Sequence, residues 1–125
     1  MGLGSRTKGA RGELEAAEAL SRIGLECSRT AQRTGKTGLA DLECAECSLH
    51  VEVKRTERLN PYVFLDQAIA DSTRTKRTPL VVMRSSYKPW LILARLDDLP
   101  AIVEEFLRAR RNPGVQPTPN ESPIV

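Results

Sequence analysis

The stretch LHVEVKR, Leu49–Arg55, alternates apolar and polar residues from Leu49 to Lys54. Side chains two apart on a strand share a face, so Leu49, Val51 and Val53 turn one way and His50, Glu52 and Lys54 the other. A solvated outer face is the ordinary account of such a polar row. The residues just upstream suggest another. LADLEC, residues 39–44, also alternates with period two, and AECS, residues 45–48, has the composition of a turn, so a β-hairpin is expected. A turn of even length centred there sets Leu42 opposite Val51 and Asp41 opposite Glu52. Like charges directly opposite one another destabilise a ladder, and burial adds a desolvation penalty. A divalent cation is the simplest compensation, because hard ions such as Mg²⁺ are held by one or two carboxylates with water and substrate phosphate. Lys54, further along the same face, brings a positive charge beside that phosphate. A turn of odd length would send Asp41 to the other face.

The rest of the chain reads as alternating elements. Residues 8–23 suit a helix closed by Gly24 at the C′ position. LECSR is a short strand, and TAQRTGKTG is a loop. Asn60 as N-cap and Pro61 at the first helical position open a helix over residues 60–72. PLVVMR and WLILAR suit buried strands, and residues 98–111 form a helix with acids early and arginines late, as its dipole prefers. The order αβββαββα indicates an α/β fold, a mixed sheet flanked by helices in one domain over residues 1–111. Residues 112–125, with four prolines, are expected to be a disordered tail. A hydrophobic fraction of 40% and a charged fraction of 28% belong to a soluble globular chain. No apolar run is long enough to span a bilayer and no secretory h-region is present, so a cytoplasmic location is expected.

The net charge of +3 is mild, but its distribution is uneven. Basic residues gather in SRTKGAR (Arg6, Lys8, Arg11), SRTAQRTGK (Arg29, Arg33, Lys36) and STRTKR (Arg74, Lys76, Arg77), and Arg55 follows Lys54. Mixed with Ser, Thr and Gly around an acidic centre, these clusters suit a polyanion. Projected on the first helix, Glu13 falls in line with Ala16, Ala17, Leu20 and Ile23, the apolar stripe. It either complements the helix dipole in the first turns or lends a third carboxylate to the rim of the metal site. Cys44, Cys47 and His50, with Cys27 as fourth ligand, form a possible zinc set. Their spacing departs from that of zinc fingers, and reduced turn cysteines are the simpler reading.

The opening K-G-x-x-x-E of the helix (Lys8, Gly9, Glu13), then ADLE with Asp41, then VEVKR with Glu52 and Lys54, then Gln67 in the next helix, resemble the PD-(D/E)XK nuclease superfamily. Within it, they are similar to the archaeal-type and phage Holliday junction resolvases, over residues 8 to about 94. The first helix and VEVKR also resemble a family of small bacterial nuclease-like proteins. The resemblance implies a restriction-endonuclease-like sheet and Mg²⁺, with Mn²⁺ substituting, held by Asp41, Glu52, the Val53 carbonyl and Glu13. It implies that Lys54 orients the attacking water or neutralises developing charge while Gln67 positions Lys54 or the water. The superfamily's eponymous proline is replaced here by Ala40, and a loop hydroxyl used by the family falls to Ser28, Thr30, Thr34 or Thr37. The implied activity is hydrolysis of phosphodiesters in four-way DNA junctions by a homodimer whose paired sites match the junction's two-fold symmetry. No nucleotide cofactor is expected. The alternatives are a repair or restriction-like nuclease acting on another DNA, and a non-catalytic nucleic-acid-binding module with a structural zinc.

Overall fold

A computed structural model of the chain describes residues 2–30, 39–44 and 46–111, apart from the side chains of residues 2–8 and 111. Its elements are α1 (Gly2–Arg22), β1 (Cys27–Arg29), β2 (Leu42–Cys44), β3 (Leu49–Arg55), α2 (Pro61–Ser72), β4 (Thr78–Arg84), β5 (Leu91–Leu93), a 3-10 turn (Leu96–Asp98) and α3 (Leu99–Arg111). The expected order αβββαββα is the observed one. The strands make one mixed sheet in the order β1-β2-β3-β4-β5, in which β3 and β4 run parallel and the other neighbours antiparallel. Parallel neighbours need a crossover, and α2 provides it.

The alternation in β3 divides its labour. Leu49 and Val51 are buried with Leu42, Leu80 and Val82, against Ala16, Ala17 and Leu20 of α1 and Ile102 of α3. On the other side of the sheet, Val81 and Met83 of β4 pack on Leu65 and Ala68 of α2. Full burial of a Leu or Val side chain stabilises by about 1.5–3 kcal/mol. The apolar face therefore holds the register, and the polar face of β3 is left for chemistry.

Several local features differ from the sequence reading. α1 begins at Gly2, not at residue 8, so Glu13 lies about three turns inside the helix, beyond the reach of its N-terminal dipole. The helix ends earlier than its stripe implies. Leu25 N–H bonds the Leu20 carbonyl at 2.9 Å and Gly24 N–H the Ser21 carbonyl at 3.1 Å, with Gly24 at φ 108, a Schellman turn. This turn buries Leu20 and Leu25 and leaves Ile23 exposed. Asn60 makes no side-chain cap; the start of α2 rests on Pro61 and on Phe64 N–H donating to the Asn60 carbonyl. WLILAR is not a buried strand. Its residues 91–93 form the sheet edge, and Leu91 and Ile92 are exposed.

The zinc set is contradicted by the two faces of the hairpin. Cys27 is paired directly with Cys44 across β1 and β2, and both lie in the main core with Cys47. His50 lies on the opposite face of β3, so the four residues cannot surround one ion. Cys44 and Cys47 are also not free thiols, as the sequence reading had them. Flanking the turn with their Cα atoms 5.7 Å apart, they are joined as a disulfide. Burial, then the charge of Glu26, push the Cys27 thiol up to about 12, far from the thiolate a metal requires.

Of the two glycines flanking the start of the described α1 side chains, Gly12 is the one with a packing role. A Cβ there would meet the Cβ of Arg55 at 3.2 Å and its Cδ at 3.3 Å, whereas one at Gly9 would meet nothing within 4 Å among the described residues. α1 thus approaches β3 at Gly12. Gly9→Ala is expected to raise stability by about 0.5–1 kcal/mol through helix propensity, and Gly12→Val to lower it by about 1–3 kcal/mol through overpacking. Urea unfolding of both variants beside the parent measures the two signs; equal effects would show that α1 does not seat on Arg55.

Candidate active site

The polar row of β3 meets Asp41 where the β2–β3 ladder ends. Leu42 is paired with Val51, and Asp41 N–H bonds the Val51 carbonyl at 3.0 Å. The next rung is made by a side chain: Val53 N–H donates to Asp41 Oδ2 at 2.8 Å. Asp41 is thereby held beside Glu52, which is 5% exposed. Burial, then the Glu52 charge, push the Asp41 carboxyl up to about 7, with a Glu52 hydrogen bond and the Glu13 charge adding to the rise and the Val53 N–H opposing it. In physical terms, burial first and the neighbouring Glu52 charge second disfavour the ionised form of Asp41.

Around this pair the neighbouring side chains are ordered. Lys54 Nζ donates to Gln67 Oε1 of α2 at 3.1 Å and stands 5.4 Å from the centroid of the Phe64 ring. The Glu52 Oε2 and His50 Nε2 atoms are 2.7 Å apart, with His50 only 1% exposed. Thr30 N–H bonds the Asp41 carbonyl, and the buried Thr30 hydroxyl has no hydrogen-bond partner among the described residues. Ser28 is exposed, and Thr34 and Thr37 lie outside the described residues.

Glu13 lies near enough to bear on Asp41, but its Oε1 takes the Arg29 Nε at 2.7 Å. Arg55 Nε stands 3.1 Å from Glu15 Oε1. Two of the arginines read from sequence as phosphate contacts therefore tie α1 to the sheet. Arg11, Arg74, Lys76 and Arg77 are exposed, while Arg33 and Lys36 lie outside the described residues, as do the side chains of Arg6 and Lys8. One acid escaped the sequence reading. An oxygen of Asp71 on α2, a ring nitrogen of His50 and an oxygen of Glu52 lie within 4.8 Å of one another. The signal was there to read, since Asp71 follows Gln67 by four residues and so lies on the same helix face.

The Asp41–Glu52 pair fits a hard divalent ion. Its donors are carboxylate oxygens, the preferred ligands of Mg²⁺, and a cation beside them would offset the burial and charge that raise Asp41. A mixed sheet carrying two facing acids and a lysine from one hairpin defines a nuclease fold of the PD-(D/E)XK kind. Residues 4–112 match the model of the phage PDDEXK endonuclease family, and the chain belongs to that family. No curated protein matches the chain. Among solved structures it is similar to the 1.6 Å structure of Hjc from Archaeoglobus fulgidus, a Holliday junction resolvase from an archaeal hyperthermophile. The TM-score is 0.53 at 18% identity, over 67% of this chain and 73% of that one, a likeness of fold. No described helix is long and apolar enough to cross a membrane.

The raised Asp41 carboxyl has a consequence for stability. In the metal-free protein the folded state keeps a proton that the unfolded chain releases above the ordinary value of 3.8. The stability this contributes is fully present below that value and is lost as pH rises through about 7. In EDTA, Tm is expected to fall between pH 5 and pH 8 by on the order of 10 °C, with Asp41→Asn flattening that slope. Mg²⁺ is expected to restore Tm at pH 8 more than at pH 5. Differential scanning fluorimetry across that range measures both effects, and an unaltered slope in Asp41→Asn would assign the pH dependence elsewhere.

Proposed function

We propose that the chain is an Mg²⁺-dependent, structure-selective DNA endonuclease that hydrolyses phosphodiesters in four-way junctions. The observation that carries this reading is the forced proximity of half-buried Asp41 and buried Glu52, with Lys54 further along the same strand face. Asp41 and Glu52 would hold the ion, with the Val53 carbonyl, and Glu13 would act through water from its place on Arg29. The bound ion supplies Lewis-acid stabilisation of the scissile phosphate and a more acidic water. Lys54, oriented by Gln67, directs that water or neutralises charge developing on the phosphate. Thr30 is the hydroxyl we assign to the role the family gives a loop residue, because it is buried, bonded through its N–H to Asp41, and its hydroxyl has no partner among the described residues.

Family membership supports a nuclease, the fold likeness to a resolvase favours the junction as substrate, and the exposed basic residues Arg11, Arg74, Lys76 and Arg77 are suited to its phosphates. A two-fold substrate is best cut by a two-fold enzyme. Leu99, Val103 and Leu107 form an exposed stripe along α3 and Ile92 an exposed apolar position on the edge strand, the surfaces we assign to a homodimer. Mn²⁺ is expected to replace Mg²⁺.

A four-way junction, a flap and a linear duplex, each incubated with the protein in Mg²⁺ or EDTA, test the reading. Paired symmetric nicks in the junction alone, absent in EDTA, are the expected result. Cutting of linear duplex would instead support a repair or restriction-like nuclease, and binding without cutting would overturn the catalytic reading. Asp41→Asn, Glu52→Gln and Lys54→Ala are each expected to lower the cleavage rate at least about a hundredfold. Junction affinity in EDTA should hold within about threefold, since the phosphate contacts come from other residues; its loss in step with cleavage would remove these roles.

A further inference from the structure

The proposed site leaves one buried group without a task. His50 is almost completely enclosed, on the face of β3 opposite the main core, at a place where an apolar residue would pack at less cost. Its Nε2 lies 2.7 Å from Glu52 Oε2, and Asp71 of α2 stands close to both. A carboxylate with one oxygen so engaged cannot rotate freely about its last bond. The metal-facing acid is thus oriented from behind, by a ring that is itself packed beneath α2. Partners of this sort, one bond removed from the ion, commonly affect metal affinity or activity 10–100-fold.

We propose that His50 is a positioning residue for Glu52: its Nε2–H holds Oε2 so that the carboxylate presents a single orientation to Asp41 and the ion between them, with Asp71 on α2 flanking the ring. This rests on the assignment of Glu52 as a metal ligand. The effect lies in geometry, not in the charge state of the ring, so an amide able to donate from the same place serves in its stead. Gln67 and Asp71, four residues apart on α2, then have parallel tasks, one beside Lys54 and one beside His50. The crossover helix becomes the element that aligns both functional groups of the strand.

Isothermal titration with Mn²⁺, and cleavage rates over a range of Mg²⁺ concentration, test this on the parent protein, His50→Leu, His50→Gln and Glu52→Gln. His50→Leu is expected to weaken Mn²⁺ binding 10–100-fold and to raise the Mg²⁺ concentration needed for half-maximal cleavage, with junction affinity in EDTA unchanged. His50→Gln, whose side-chain amide donates from near the Nε2 position, is expected to recover most of the loss. Equal loss in the Leu and Gln variants, or parent-like Mn²⁺ binding by His50→Leu, would overturn the inference. A ¹⁴N coupling from imidazole in the electron spin-echo spectrum of bound Mn²⁺ would overturn it too, by making His50 a direct ligand. Should the parent bind no Mn²⁺, or Glu52→Gln bind it as the parent does, the metal site itself fails, an outcome distinct from the others.

Discussion

Everything in the site depends on two carboxylates, one buried and one half-buried, being held side by side where the β2–β3 ladder ends. The apolar half of the hairpin is responsible. Leu42 and Val51 pair in the core, and that pairing leaves Asp41 no place but beside Glu52. The Val53 amide then completes the arrangement by bonding the Asp41 side chain in place of a backbone carbonyl. The unfavourable contact is maintained by burial elsewhere, and it creates an appetite for a cation that a relaxed pair of surface acids would lack.

The helices serve this arrangement from both sides. α1 is drawn close at Gly12, where Arg55 lies against it, and is tied by Arg29–Glu13 and Arg55–Glu15. Partly exposed pairs of this kind contribute modest stability at most, but they fix where the helix lies relative to the acids. α2 lies on the other face, its apolar side on Val81 and Met83 and its polar side on Lys54. Membership of the phage PDDEXK endonuclease family agrees with this division of roles between a rigid sheet and two flanking helices.

Much of this was legible in the amino-acid order. Period-two alternation on either side of a four-residue turn fixed the pairing of Leu42 with Val51, and with it the approach of Asp41 to Glu52. The element order followed from Pro61, Gly24 and the apolar runs. What escaped reading depended on how helices seat on the sheet. The spacing of Asp71 from Gln67 shows their common helix face, but nothing local says that Gly12 rather than Gly9 meets a neighbour, or that Arg29 and Arg55 turn to α1. His50 was visible, but spacing to Cys44 and Cys47 drew attention to the wrong face of its strand. The edge position of β5 was hidden for the same reason: an apolar run does not tell whether anything covers it.

The hairpin also has a rival alignment that its side chains would welcome. Sliding β3 by two residues against β2 keeps every apolar side chain on the inner face, matching Leu42 with Val53, yet it brings Lys54 opposite Asp41 and replaces repulsion with an ion pair. Such a misthreaded sheet would be electrostatically contented and chemically inert. The extended parallel pairing of β3 with β4, together with the cystine that clasps the turn, denies the chain that comfort.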